Sequence, residues 1–324
     1  MATARTWRPS HQPEGPVQAR LDDIPALNRV FSDSFTERYR RDGLVGVRVP
    51  HLNPIIWRYA IEDAAGGALL WLDDRGDIAA FNIVHRSGCE GWMGPLAVRP
   101  ELQGGGLGKA IVGAGIAWLD RAQATTIGLE TMPRTMDNIG FYSTLGFTPG
   151  RLTITVTVDS VHGDHPPTLF GKLNARDQRD VLEECRALVG ALIPGYDFTR
   201  ELALTDELGL GDTLLFRTSG RLVGFALCHV APLVEGRARE ETRVLKLVLG
   251  ADADLSAAIV GLADFARRSG TRRVAFRAQT DYLAAYRALI AQGGHVRWTD
   301  LRMTLEGHAE RIAEAGVVWS NWEI

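Results

Sequence analysis

From Leu96 the chain passes through an apolar run, Leu96-Ala97-Val98, then Arg99-Pro100, into Gln103-Gly104-Gly105-Gly106-Leu107-Gly108-Lys109. Ile111, Val112, Ile116 and Leu119 follow at helical spacing. Four of the five residues from Gly104 to Gly108 are glycine. Strand, glycine loop and helix in that order constrain the fold strongly. Backbone amides at a helix start point outward without intrahelical partners and sit at the positive end of the helix dipole. Glycines let an anion approach those amides closely. The segment therefore predicts an α/β unit that offers a helix N-terminus to a phosphate-bearing ligand.

Spacing narrows the ligand. A Walker A loop needs a glycine four residues before Gly-Lys-Ser/Thr. Here Gln103 takes that first position, and Ala110 stands where the metal-binding hydroxyl belongs. The dinucleotide pattern GxGxxG needs a small third residue, but the alternatives place Lys109 or Ile111 there.

The surrounding elements alternate. Val17–Arg20 reads as a short strand. Asp22 or Asp23 can cap a helix that carries Ile24, Leu27, Phe31 and Phe35 on one face, and Pro54 opens a second helix through Trp57 and Ile61. Ala68–Leu72 and Asp77–His85 form a hairpin about Asp73-Asp74-Arg75-Gly76. Trp92–Val98, Thr126–Met132 and Leu152–Val158 read as further strands, and Asn138–Leu145 as a helix. A second half echoes this order. Leu214-Leu215-Phe216 and Gly220–Phe225 repeat the hairpin, Val244–Leu249 repeats the strand at Trp92–Val98, Ala285–Leu289 echoes Phe141–Leu145, and Arg297–Leu305 repeats Leu152–Val158. The boundaries expected are a flexible N-terminus over 1–16, a first domain over 17–158, a linker over 159–175, a second domain over 176–308 and a packing tail over 309–324. The fold class is α/β (mixed α+β).

Composition fits two soluble domains. The chain has 324 residues, 45% hydrophobic and 23% charged, and a net charge of −3. That charge gives no support to a nucleic-acid partner. No stretch suits a membrane span or a signal peptide, so the cytoplasm is expected. The three cysteines match no metal spacing, and the loop histidines His162 and His165 lack a third ligand, so no metal is expected.

Gln103-x-x-Gly106-x-Gly108, directly after Leu96–Pro100, resembles the acyl-CoA signature of the GNAT superfamily of N-acetyltransferases. Asn138-Ile139-Gly140-Phe141-Tyr142-Ser143-Thr144-Leu145-Gly146-Phe147 is similar to that family's second signature. Element order across residues 17–158 matches as well. The second half resembles the same fold without the signature: the chain reads Gly250-Ala251-Asp252-Ala253-Asp254-Leu255, with carboxylates where a pyrophosphate would go. The resemblance thus implies a tandem GNAT protein with a degenerate second domain, each domain a mixed, mostly antiparallel sheet flanked by helices.

The resemblance also implies roles. Leu96, Ala97 and Val98 would pair with the pantetheine arm of acetyl-CoA. The loop Gln103, Gly104, Gly105, Gly106, Leu107 and Gly108 would hold the pyrophosphate, with Arg99 and Lys109 neutralising charge. Asn138 would hydrogen-bond the cofactor arm, and Tyr142 would stabilise the departing thiolate. Some family members carry a carboxylate base where this chain has Trp92, so Glu130 is the favoured base, with Glu90 or water as alternatives. The implied activity is N-acetylation of a primary amine on a small molecule or peptide by direct attack on the thioester, in a monomer or homodimer. The alternative is an acyl-CoA-binding sensor without turnover. Pocket walls are expected from Phe31 to Tyr59.

Overall fold

The structure is a computed structural model that describes residues 12–322. In the first half, strand β1 (Glu14–Gln18) is followed by helices α1 (Ile24–Arg41) and α2 (Pro54–Asp63). Strands β2 (Ala68–Leu72), β3 (Ile78–Ser87) and β4 (Glu90–Val98) then lead to helix α3 (Leu107–Arg121). Strand β5 (Thr126–Thr131), helix α4 (Met136–Ser143) and strand β6 (Phe147–Asp159) close the half. After the short strand β7 (Thr168–Leu169) the order repeats, with helices α5 (Ala175–Leu192) and α6 (Thr199–Glu207) and strands β8 (Gly211–Thr218), β9 (Arg221–His229) and β10 (Glu241–Leu249). Helix α7 (Leu255–Arg268), strand β11 (Arg273–Gln279), helix α8 (Leu283–Ala291), strand β12 (His295–Leu305) and strand β13 (Val317–Ser320) complete it.

Local chemistry explains the elements. Helix α1 buries Ile24, Leu27, Val30 and Phe31 on one face, as their spacing predicts. Asn53 caps α2 through its side chain, one residue ahead of Pro54. Trp57 from α2 meets Phe31 and Phe81 edge-on and seals helices to sheet.

The two halves do not form separate sheets. Among the described residues the strands make one sheet, ordered β1-β2-β3-β4-β5-β12-β6-β11-β10-β9-β8-β7, with β13 beside β10. Strand β6 of the first half and strand β12 of the second each cross to the other half. Strand β12 inserts between β5 and β6, pairing Arg302 with Glu130 and Met303 with Leu129. Strand β6 in turn pairs antiparallel with β11 from Gln279 to Arg273. Met303 is fully buried in the first half's core beside Ile127, Leu129 and Phe147.

Several boundaries differ from those read in the sequence. The segment expected to be flexible over 1–16 includes Glu14–Pro16 of β1, which pairs with β2; residues 1–11 lie outside the described residues. The linker span contains β7, paired to β8. The tail holds β13, antiparallel to β10 from Ser320↔Lys246 to Val317↔Leu249; Glu323 and Ile324 lie outside the described residues.

Candidate active site

The site begins with a local defect in β4. Between the pairs Asn82↔Leu96 and Val84↔Met93, two steps on β3 face three on β4, so the strand bulges at Gly94-Pro95. The parallel pairing of β4 with β5 runs only from Glu90 to Met93. Beyond it the two strands diverge, and Leu96, Ala97 and Val98 pair with β3 alone. A cleft opens there between the C-terminal ends of two parallel strands.

One cavity, about 670 Å³ in volume, runs from this cleft over the glycine loop. Its wall includes Leu96, Ala97, Val98, Gln103, Gly104, Gly106, Gly108, Lys109, Asn138 and Tyr142. Gly106 is the N-cap of α3 and makes no side-chain cap, so the first amides of the helix have no capping side chain competing for them. Gly104 and Gly106 hold φ of 85° and 88°, the left-handed region that favours glycine. A Cβ built on either residue would meet nothing within 4 Å, so the backbone faces open space. An uncapped helix start, glycine backbone and facing cations fit the pyrophosphate of acetyl-CoA.

The second half lacks these features. Asp254 caps α7 by accepting a hydrogen bond from the Ala257 amide at 3.0 Å. Asp252 is paired with Arg221. The equivalent helix start is thus filled by the chain's own carboxylate.

The structure does not bring every expected residue to the wall. Arg99 turns away: its guanidinium lies 2.8 Å from Asp73 and 3.1 Å from Glu101. Gly105 and Leu107 belong to the loop but not to the cavity wall, and Leu107 packs towards the core under α3. The cations that do face the cavity beside Lys109 are Arg38 and Arg41 of α1. Arg41 donates to the Gln103 side chain at 2.8 Å. They escaped the sequence reading because they lie some sixty residues upstream of the loop, although their place in the last turn of α1 made them visible as candidates.

A second cavity of about 460 Å³ adjoins the first. The two share Phe35, Arg38, Leu96, Asn138 and Tyr142 on their walls. Of the helical segment expected to line it, Phe31, Phe35, Arg38, Tyr39, Val49 and Leu52 do so, whereas Trp57 and Tyr59 are buried in the core. The opposite side comes from the second half, through Leu245, Arg277, Trp298 and Asp300.

Tyr142 packs between Phe141 and Phe147 at centroid distances of 5.2 and 6.2 Å. Burial pushes its phenol up to about 12. The hydroxyl therefore keeps its proton at neutral pH and acts as a hydrogen-bond donor. Asn138, in the first turn of α4, lies 3.5 Å from the Thr131 hydroxyl.

Glu130 does not have the surroundings of a free base. Arg277 donates to one of its oxygens, while Arg302, at 2.9 Å, and Thr153, at 2.6 Å, donate to the other. Burial works to raise its pKa, but the Arg277 and Arg302 guanidiniums and the two hydrogen bonds outweigh it and hold the carboxyl below its ordinary value. A carboxylate so held is a weak proton acceptor. Both arginines belong to the exchanged half, which is why residue patterns near Glu130 carried no sign of them. The alternative, Glu90, is fully buried; it accepts from Trp92 Nε1 at 2.9 Å and from the Ser320 hydroxyl at 2.6 Å, and it is absent from the wall of either cavity.

Residues 26–147 match the acetyltransferase (GNAT) family. The chain carries a GNAT acetyltransferase domain. It is an acyltransferase, and its tandem architecture has counterparts among solved structures. A Pyrococcus horikoshii protein assigned as an acetyltransferase superposes with a TM-score of 0.68 at 14% identity, over 99% of this chain and 98% of that one. A GCN5-related N-acetyltransferase from Sphaerobacter thermophilus gives 0.57 at 18% identity, over 92% and 97%. A tandem GNAT protein from the clavulanic acid biosynthesis pathway gives 0.59 at 12% identity, over 91% and 98%. No sequence relative was found among curated proteins. Among the described residues no helix is long and apolar enough to cross a membrane.

Proposed function

We propose that this GNAT protein transfers the acetyl group of acetyl-CoA to a primary amine on a small molecule, at one site per chain. The observation that carries the reading is the meeting of two cavities at Leu96, Asn138 and Tyr142. One has the loop and cations for a pyrophosphate. The other is closed in by both halves and has a volume in the range of small-molecule sites. Acetyl-CoA, when bound, supplies an activated thioester whose C–S bond is exchanged for an amide C–N bond, one proton passing from amine to sulfur.

The chain's own groups divide the work. The amides of Gly106 to Gly108 hold phosphate charge, with Arg38, Arg41 and Lys109 around them. Leu96 and the Val98 amide, beyond the end of the β4–β5 pairing, are available to pair with the pantetheine arm, and an amide in this stretch polarises the acetyl carbonyl; the Val98 carbonyl already accepts from Gln103 Nε2 at 3.1 Å. Asn138 holds the arm from the α4 side. The Tyr142 hydroxyl donates a hydrogen bond to the sulfur as charge develops on it. Cytoplasmic residence belongs to the same reading.

A panel of amines, amino acids and peptides, read by release of free thiol, tests the transfer. Amine-dependent release is expected. Acetyl-CoA binding with no release for any acceptor would leave the non-catalytic sensor. Stoichiometry tests the site. Calorimetry should give one CoA per chain, because Asp254 fills the second helix start. Gly106→Glu should abolish measurable binding, since it places a carboxylate beside the phosphate and forces a side chain onto a φ of 88°. Two equivalents per chain would overturn the reading of the second half as lacking a site; undiminished affinity in the folded variant would remove the glycine loop from the site.

A further inference from the structure

The wall of the second cavity bears on the chemistry of its occupant. Its body is aromatic: Phe31, Phe35, Tyr39, Trp92, Trp298 and Trp322. Most of its charged groups are already engaged. Arg38 is paired with Asp42, Glu241 lies 3.1 Å from Arg273, and Arg243 donates to the Ala231 carbonyl at 2.7 Å. His85 lies 3.0 Å from Asp63 and 3.0 Å from the Gly94 carbonyl. Glu130 is held by two guanidiniums.

Asp300 is engaged more lightly than Glu130. Its carboxylate accepts from Trp298 Nε1 at 3.1 Å and lies 3.2 Å from Arg277, whose shorter pairing is to Glu130. Its side chain is 13% exposed and belongs to the wall of this cavity, not to that of the cofactor cavity. Asp300 sits on β12, one residue before Leu301, which pairs with Thr131 at the C-terminal end of β5. The strand exchange therefore delivers a carboxylate of the second half to the mouth of the first half's cleft. Burial, opposed by Arg277, holds this carboxyl above its ordinary value, the reverse of Glu130; the two share one guanidinium unequally.

We infer that Asp300 is the counter-ion for the acceptor's ammonium group, and that the acceptor is a small primary amine on an aromatic, uncharged body. An aromatic-walled cavity with the partly satisfied carboxylate of Asp300 beside the cofactor cleft favours a monocation with an apolar body. It disfavours a polyamine, whose further charges would meet Phe and Trp, and an anion, which Asp300 would repel. The inference deepens the transfer reading above and rests on it.

The test uses the full chain with acetyl-CoA and three probes: 2-phenylethylamine, spermidine and an acidic dipeptide. Release of thiol is expected with 2-phenylethylamine at the lowest KM. Asp300→Asn keeps the shape and a side-chain oxygen that can accept from Trp298, but deletes the charge. The KM for 2-phenylethylamine should rise about 30-fold or more, the range for removing one partner of a buried charge pair. Asp300→Glu should recover part of the loss. Acetyl-CoA affinity, measured by calorimetry, should stay unchanged in both variants, which also shows that they fold. An unchanged KM in Asp300→Asn would overturn the counter-ion assignment. Turnover of spermidine or the dipeptide in preference to 2-phenylethylamine would overturn the acceptor class while leaving acetyl transfer standing. Binding of acetyl-CoA with no turnover of any amine would remove the transfer reading and this inference with it.

Discussion

Tyr142→Phe is expected to lower kcat by roughly 10²–10⁴-fold while the KM for acetyl-CoA moves little. The substitution keeps the ring, so the contacts with Phe141 and Phe147 survive. What it deletes is the one hydroxyl that both cavities reach at their junction. Burial holds that hydroxyl at about 12. A thiol has an ordinary pKa near ~8.5, so complete transfer of the phenolic proton to sulfur is uphill by about 5 kcal/mol. The useful contribution is therefore a hydrogen bond that strengthens as negative charge grows on the sulfur. Such a donor, held in place by packing, typically lowers the barrier by about 3–4 kcal/mol. Single-turnover kinetics with a responsive amine would measure the chemical step directly. An unchanged rate there would return Tyr142 to a packing role in the core beneath α3 and α4.

The gathering of Tyr142, Asn138 and the glycine loop at one cleft was legible in the sequence because each lies within a few positions of its own turn or helix start. Gln103 to Gly108 define a loop and a helix start without reference to the rest of the chain. The repeated order of elements was legible for a similar reason, since hairpins announce themselves through local turns and alternation. What could not be read is long-range. Strands β6 and β12 are both amphipathic, and nothing in their residues says which neighbour each will pair with. The exchange of these strands then decides the surroundings of Glu130. Read alone, Glu130 is a carboxylate on a strand near a cleft; in the fold it lies opposite Arg302 and beside Arg277, both from the far half. Arg99 fails for the opposite reason. Its sequence neighbours pointed to the phosphate, but the sheet puts it within reach of Asp73 in the β2–β3 turn. Asp300 went unnoticed because only β12 in its exchanged position brings it to the cavity.

The exchange also predicts how the protein unfolds. Arg302 is a residue of the second half whose side chain is 1% exposed among groups of the first half and the chain's last segment. It lies 2.9 Å from Glu130 and 2.8 Å from Glu310, stacks on Trp92 at 3.8 Å, and donates to the Ser320 carbonyl at 3.3 Å. Arg302→Ala leaves the partly buried Glu130 and Glu310 without this partner and removes the cation from the face of Trp92. Loss of one partner from a buried ion network costs about 3–5 kcal/mol. Because β12 is hydrogen-bonded to β5 and β6 together, that loss cannot be confined to one half. Calorimetry should show a single transition in the wild type and a single, lower one in the variant, with the van't Hoff and calorimetric enthalpies in agreement. The deficit should also depend on pH. Burial has pushed Glu310 up to about 7 even with Arg302 present. Removing the cation favours the protonated form further, and a neutral carboxyl tolerates burial. Arg302→Ala should therefore be most damaging at pH 8, where Glu310 must be buried charged, and less so at pH 5, where it is protonated. Two separate transitions in the wild type, or a variant in which only part of the heat moves, would mean that the halves fold independently and that the exchanged strand does not couple them.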